Sequence, residues 1–236
     1  MHVLNKNISA DAMPLLTLIH ALKDVAISHT RVALICCFLM LNVTSLMAQT
    51  NATTMHTYLA LGDSYTIGEQ VLANDNFPHQ AVDMLNRQGI LVDEPDIVAV
   101  TGWTTDELAG AIKEAKLKDT YSFVTLLIGV NNQYRGRTVE NFTAEFKALL
   151  KRAISFAGEN PSHVFVLSIP DWGVTPFAEG RERQQIAKEI DAYNAAKKEI
   201  TEEYKCHWIE ITGSTREHGT DESYLVGDKL HYSGKE

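Results

Sequence analysis

Cysteine is scarce in this chain. Three in 236 residues, two of them neighbours at Cys36 and Cys37, cannot build a disulfide framework, and no Cys-x-x-Cys has the second pair of ligands that zinc requires. Neither disulfide staples nor a structural metal is expected to hold the fold. Basic clusters are missing as well: no run of Lys and Arg exceeds a pair, and 21 basic against 30 acidic side chains leave a formal charge of −9. Binding a phosphate backbone needs a positive surface that releases counterions, so this balance weighs against a nucleic-acid partner. Internal repeats, low-complexity stretches and interdomain linkers are also lacking. What remains is an ordinary folded composition, 45% apolar and 22% charged, far from that of a disordered chain. A single core of about 200 residues suffices at this length, without a second domain.

The one long uncharged apolar run covers residues 32–47, directly after Arg31, and ends in Ala48 and Gln49 before a polar stretch. Its 16 residues fall short of the roughly 20 that a membrane-crossing helix needs. It reads as the core of a secretory signal cleaved after Ala48, with an uncleaved anchor or a buried helix as the alternatives. Residues 1–48 are therefore expected to be a leader and residues 49–236 the folded domain. Export to the periplasm or the medium follows, with no stable membrane insertion after cleavage. The mature chain would keep one cysteine, Cys206, which has no partner for misbridging.

From His56 onward, strand-length apolar runs alternate with longer segments of helical period, the pattern of an α/β fold with a parallel sheet. Strands are predicted at 58–61, 96–100, 123–128, 163–169 and 208–211. The third is apolar apart from Thr125 and is expected at the centre of the sheet, covered on both faces. Helices are predicted at 78–87, after a cap at Thr104 or Thr105, at 139–156 and at 181–204. Five strands joined by right-handed crossovers give a three-layer α/β/α sandwich, whose ligands bind beyond the carboxyl ends of the strands.

Small, polar and acid–base residues collect at those ends. A serine hydroxyl is a poor nucleophile unless a base takes its proton, and the base must be held in one tautomer by an acceptor. Ser64 offers the hydroxyl, His231 the base and Asp228 the orienting carboxylate. The oxyanion formed on attack needs preorganised donors, for which the backbone N–H groups of Ser64 and Gly102 and the side-chain amide of Asn131 are candidates. Asp63 reads as a structural residue of the turn, and His218 as the best rival base. Trp103, Tyr134, Trp172 and Phe177 lie in or near the rim loops, where lining a pocket and packing a loop are equally good readings. Asp221 and Glu222 read as a solvated acidic loop rather than a metal site.

These residues carry a resemblance. Gly62-Asp63-Ser64-Tyr65 after the first strand, Gly102 after the second, Gly129-Val130-Asn131-Asn132 after the third, and Asp228-x-x-His231 near the end resemble the four blocks of the SGNH, or GDSL, hydrolases. The resemblance covers essentially all of the chain after the leader. It implies a flavodoxin-like sandwich and a cofactor-free serine hydrolase of carboxylic esters, acting on acetylated carbohydrate or on short-chain or lipid esters. Ser64, Asp228 and His231 would be its catalytic residues, and Ser64, Gly102 and Asn131 its oxyanion hole. A catalytically weak binding protein for acylated or glycan ligands is the alternative. Three departures stand out: Tyr65 replaces a leucine, Asn132 stands at a usual aspartate and bears on the support of Asn131, and only residues 232–236 follow the histidine. The family's terminal helix is thus expected to be missing, leaving His231 on a mobile terminus.

Overall fold

Strand β1 (Tyr58–Gly62) shows how the sheet divides its side chains. Successive residues of a strand point to opposite faces; Leu59 and Leu61 enter the main core, while Tyr58 and Ala60 join a smaller one with Val82 and Val92. The computed structural model describes residues 55–236, and the expected leader lies outside the described residues. Four further strands, β2 (Asp96–Ala99), β3 (Phe123–Leu127), β4 (Val164–Leu167) and β5 (His207–Ile209), complete a parallel sheet of order β2-β1-β3-β4-β5. This is the flavodoxin-like order, and β3 lies at its centre as the apolar run predicts.

Seven α-helices flank or cap the sheet among the described residues: α1 (Ser64–Ile67), α2 (Phe77–Arg87), α3 (Thr105–Glu114), α4 (Val130–Tyr134), α5 (Val139–Phe156), α6 (Arg183–Glu203) and α7 (Thr212–His218). Helix α5 has the bounds its periodicity predicts, and Phe142, Phe146, Leu149 and Leu150 on its inner stripe are buried in the main core. Thr104 caps α3, and Glu107 Oε2 accepts from the Thr104 N–H at 2.8 Å, closing a capping box. On the second face an aromatic row runs across the sheet: Tyr58 stacks on Phe123 at 4.4 Å, Phe123 meets Phe165 edge-on, and Phe165 stacks on His207.

Four strands stop short of their apolar runs, β2 and β3 by one residue and β4 and β5 by two. Residues Pro161–His163 form a 3₁₀ turn before β4, so that strand opens at Val164. Beyond Leu167 and Ile209 a side chain takes over the ladder: Ser168 Oγ accepts from the N–H groups of Ile211 (2.7 Å) and Thr212 (3.0 Å). That exchange ends β5 at Ile209 and starts α7.

Phe142, with no exposed surface, stacks on Phe146 at 5.5 Å and meets Tyr193 at a tilt at 4.7 Å, joining α5 to α6. Phe142→Ala should cost about 3–5 kcal/mol through lost burial and the cavity left behind. Chemical denaturation of the purified variant measures this directly.

Candidate active site

The chain turns sharply where β1 ends. A Cβ on Gly62 would stand 2.0 Å from Thr66 Oγ1 and 2.4 Å from the Leu127 carbonyl oxygen, so only glycine allows α1 to fold back so closely. Asp63 caps that helix, its Oδ1 accepting from the Tyr65 N–H at 3.1 Å. Ser64 is thereby fixed as the first residue of α1, with little of it exposed.

The structure brings Ser64, His231 and Asp228 into line. Ser64 Oγ lies 2.8 Å from His231 Nε2, and His231 Nδ1 lies 2.7 Å from Asp228 Oδ2. With the Nδ1–H donating to the carboxylate, Nε2 is left to accept the serine proton. Asp228 is locked in turn: its Oδ1 accepts from the N–H groups of Leu230 (2.9 Å) and His231 (3.0 Å), and its Oδ2 accepts from Gln70 Nε2 at 3.1 Å. Burial alone would raise its pKa, but hydrogen bonds from the His231 ring and from the two backbone N–H groups outweigh it and hold the carboxyl below its ordinary value. It is an ionised acceptor at neutral pH.

His231 is not carried on a loose end. Its carbonyl accepts from the Val226 N–H at 2.9 Å, Leu225 bridges to Tyr232, and the Tyr232 hydroxyl donates to the Thr215 carbonyl at 2.8 Å. Gln80 further donates to the carbonyl of Gly234 at 2.8 Å. The segment expected to be mobile is tied by backbone and side-chain hydrogen bonds to α2, to Thr215 and to the 224–226 turn.

The two other oxyanion candidates occupy facing turns. Gly102 has φ +84°, and its carbonyl accepts from Arg135 Nη2 at 2.7 Å; Asn131, on α4, donates from Nδ2 to the Trp103 carbonyl at 3.0 Å. The two turns therefore latch each other. The backbone N–H groups of Ser64 and Gly102 donate to no group among the described residues. The Asn132 side chain turns to Thr105 rather than to the Asn131 amide: it accepts from the Thr105 N–H at 3.1 Å and donates to Thr105 Oγ1 at 2.7 Å, pinning α3 to α4.

Two cavities meet at the serine. One, of about 170 Å³, is walled by Tyr134, Trp172 and Phe177 and reaches Ser64, Asn131 and His231. Trp103 is not part of this wall and packs instead against the main core. The other, about 220 Å³, reaches Ser64, Tyr65 and His231 along an apolar floor that includes Val71, Phe77 and Ile211. His218 has no part in either: it stacks on Tyr224 at 3.9 Å and pairs with Glu236 at 2.7 Å.

Gln70, Lys197 and Arg181 were not anticipated from the sequence. Lys197 left a signal, since it sits three residues before Ile200 and four after Tyr193, within the buried stripe of α6. Its Nζ, fully buried, donates to the carbonyls of Ile128 (2.9 Å) and Leu167 (2.7 Å) at the ends of β3 and β4. Burial pulls its pKa down to about 7, opposed by the charge of Asp63. Burial pushes the Asp63 carboxyl up to about 7, against the Tyr65 N–H and the Lys197 charge. The second Asp63 oxygen, Oδ2, has no hydrogen-bond partner among the described residues.

A parallel sheet of this order, with a Ser–His–Asp line at the carboxyl ends of its strands, defines an α/β/α hydrolase of the flavodoxin-like architecture. The chain belongs to the GDSL-like lipase/acylhydrolase family, whose model matches residues 60–235, and it is a carboxylic ester hydrolase. Its fold is shared with TesA (14% identity, TM-score 0.59, covering 76% of this chain and 90% of that one). It is shared also with the acetylxylan esterase Axe2 from Geobacillus stearothermophilus (17%, 0.59, 76% and 88%) and the acetyl xylan esterase AlAXEase (15%, 0.60, 76% and 92%). Among curated proteins none matches the chain in sequence. Among the described residues no helix is long and apolar enough to cross a membrane.

Asp63 gives the site a pH signature in stability. Its carboxyl keeps its proton in the folded chain up to about pH 7, whereas the unfolded chain releases it near the ordinary value of 3.8. Between those values the unfolded state binds fewer protons, so this contribution to stability is full below the lower value and is lost as pH rises through the upper one. Asp63→Asn keeps a capping oxygen but does not titrate. Relative to that variant, the native chain should lose on the order of 1–3 kcal/mol from about pH 4 to pH 7. Denaturation midpoints for both proteins across that range test it, and parallel curves would contradict it.

Proposed function

We propose that this ester hydrolase works through a serine acyl-enzyme, a reading carried by the 2.8 Å and 2.7 Å links from Ser64 through His231 to Asp228. In the first half, Ser64 Oγ bonds to the ester carbonyl carbon while its proton passes to His231 Nε2. Asp228 holds the imidazole and stabilises the imidazolium that forms. The tetrahedral oxyanion is received by the N–H groups of Ser64 and Gly102 and by the Asn131 amide, whose link to the Trp103 carbonyl uses one of its two hydrogens. Collapse breaks the bond to the alcohol oxygen, which takes the proton from His231. In the second half, water adds to the acyl carbon with His231 as base, and the Ser64 oxygen leaves, reclaiming a proton. No metal or cofactor enters either half.

Cavities of about 170 and 220 Å³ on the two sides of Ser64 suit short acyl groups and small alcohol parts, in keeping with acetylated carbohydrate or short-chain esters as substrates. Acetyl xylan esterases among the proteins of the same fold support the same choice. The leader read in residues 1–48 supports a place outside the cytoplasm, periplasmic or secreted.

Hydrolysis of p-nitrophenyl acetate and butyrate by residues 49–236 tests the mechanism. Ser64→Ala and His231→Ala should each lower kcat by at least about 1,000-fold, and Ser64→Ala should abolish labelling by a fluorophosphonate. A folded native domain that neither turns over nor labels would return the reading to a binding protein. Asn131→Ala should lower kcat by about 100- to 1,000-fold with KM little changed, as expected of a donor used mainly in the transition state. A change confined to KM would remove Asn131 from the oxyanion hole.

A further inference from the structure

The two cavities at Ser64 differ in charge. Glu69, Asp75, Glu210 and Glu236 line the larger one, whereas the smaller, aromatic one has no carboxylate in its wall. Over the same aromatic wall stands Arg181, with its Cζ 5.4 Å from the ring centre of Tyr134, 5.6 Å from that of Trp172 and 5.7 Å from that of Phe177. The three rings also pack on one another, Tyr134 meeting Trp172 edge-on at 5.2 Å, and Trp172 is fixed by its indole N–H donating to Gln133 at 2.8 Å. The guanidinium thus rests on a built platform rather than on a flexible patch.

Its hydrogen-bonding capacity is almost unused. Among the described residues Arg181 pairs with no carboxylate, and its side chain makes one hydrogen bond, from Nη2 to the Tyr134 hydroxyl at 3.3 Å. Arg135, Arg137 and Arg216 nearby each hold an acidic partner, and Arg183 donates to the carbonyls of Gly173 and Val174. A guanidinium presents five donors in a planar fork matched to carboxylate and phosphate. Stacking on aromatic faces orients that fork and leaves its edge open. In a chain of net charge −9, an unpaired cation on the rings that wall this cavity is a local exception to the field a substrate meets.

We propose that Arg181 is a specificity residue for anionic esters, binding a carboxylate or phosphate on the half of the substrate that occupies the aromatic cavity. This rests on the esterase reading above. The acidic lining of the other cavity acts in the same direction, since it repels an anion placed there and so sets the orientation of the ester.

Two matched pairs of substrates test it. The first places the charge on the acyl side, p-nitrophenyl hemisuccinate against p-nitrophenyl butyrate; the second places it on the alcohol side, O-acetyl-lactate against its neutral methyl ester. The readout is the ratio of kcat/KM, anionic over neutral, for the native protein, Arg181→Gln and Arg181→Glu. The ratio should fall by about tenfold or more in Arg181→Gln in one of the two pairs, and further in Arg181→Glu. The native ratio in that pair should also decline as salt is raised. Whichever pair responds identifies the half of the ester held in the aromatic cavity. Ratios within about twofold of the native value in both pairs would overturn the assignment while leaving the esterase reading intact. Failure of the native protein to hydrolyse either neutral ester would overturn both.

Discussion

The hydrogen bond between Ser64 and His231 joins residues 167 positions apart, and each end of it rests on a separate piece of scaffold. Ser64 is set by the Gly62 turn and the Asp63 cap at the end of β1. His231 is set by the Asp228 turn and by the Leu225–Tyr232 bridge. Because β1 lies between β2 and β3, its carboxyl end opens beside the turns that carry Gly102 and Asn131. A serine without its base is a weak nucleophile, and a base without its nucleophile is only a buried histidine. The proposed acyl-enzyme chemistry thus depends on a tertiary contact that no local segment can form alone.

Beneath this contact lies a costly arrangement of charge. Lys197 and Asp63 are both buried, and taking two ionisable groups out of water opposes folding unless other bonds offset the loss. Lys197 finds such bonds in the carbonyls of Ile128 and Leu167, at the carboxyl ends of β3 and β4. Its aliphatic stem lies in the buried stripe of α6, and its ammonium stands 5.5 Å from the centre of the Phe146 ring. The helix, the ends of β3 and β4 and the cap under Ser64 are therefore coupled electrostatically. The carboxylate that positions the nucleophile and the ammonium that ties the sheet to α6 oppose each other's shifts.

The sheet and its long helices were legible in the sequence because apolar period reports burial on one face. Helix α5 emerged with its observed bounds, and β3 was recognised as central from a run apolar apart from Thr125. The short helices α1, α4 and α7 were not legible, since four to seven residues are too few to display a helical period. They form through caps and side-chain bonds specific to the tertiary fold, as where Ser168 Oγ takes two N–H groups at the start of α7. Ser64, Gly102 and Asn131 were readable as motif positions at strand ends, and Asp228 and His231 as a pair in the C-terminal tail; the structure lines up Ser64, His231 and Asp228 and sets Asn131 in a cavity that Ser64 and His231 border. Gln70, which supports Asp228 from 158 residues away, belongs to no motif. Neither does Arg181, whose meaning lies in the three rings beneath it, drawn from α4 and from the loop before α6. The hydrogen bonds that hold the segment around His231 were hidden for the same reason, since they come from distant segments.

Tyr65 follows from the same geometry. Its side chain borders both cavities, and its ring centre lies 5.0 Å from that of His231. From a tetrahedral carbon on Ser64 the acyl and alcohol parts diverge, so in the proposed mechanism each enters a different cavity on either side of this ring. One side is rimmed by carboxylates and the other by aromatic rings under a guanidinium. A tyrosine where the family commonly has leucine therefore does more than fill volume. It packs against the imidazole and stands between the two cavities, so one side chain touches the base and borders both halves of the site.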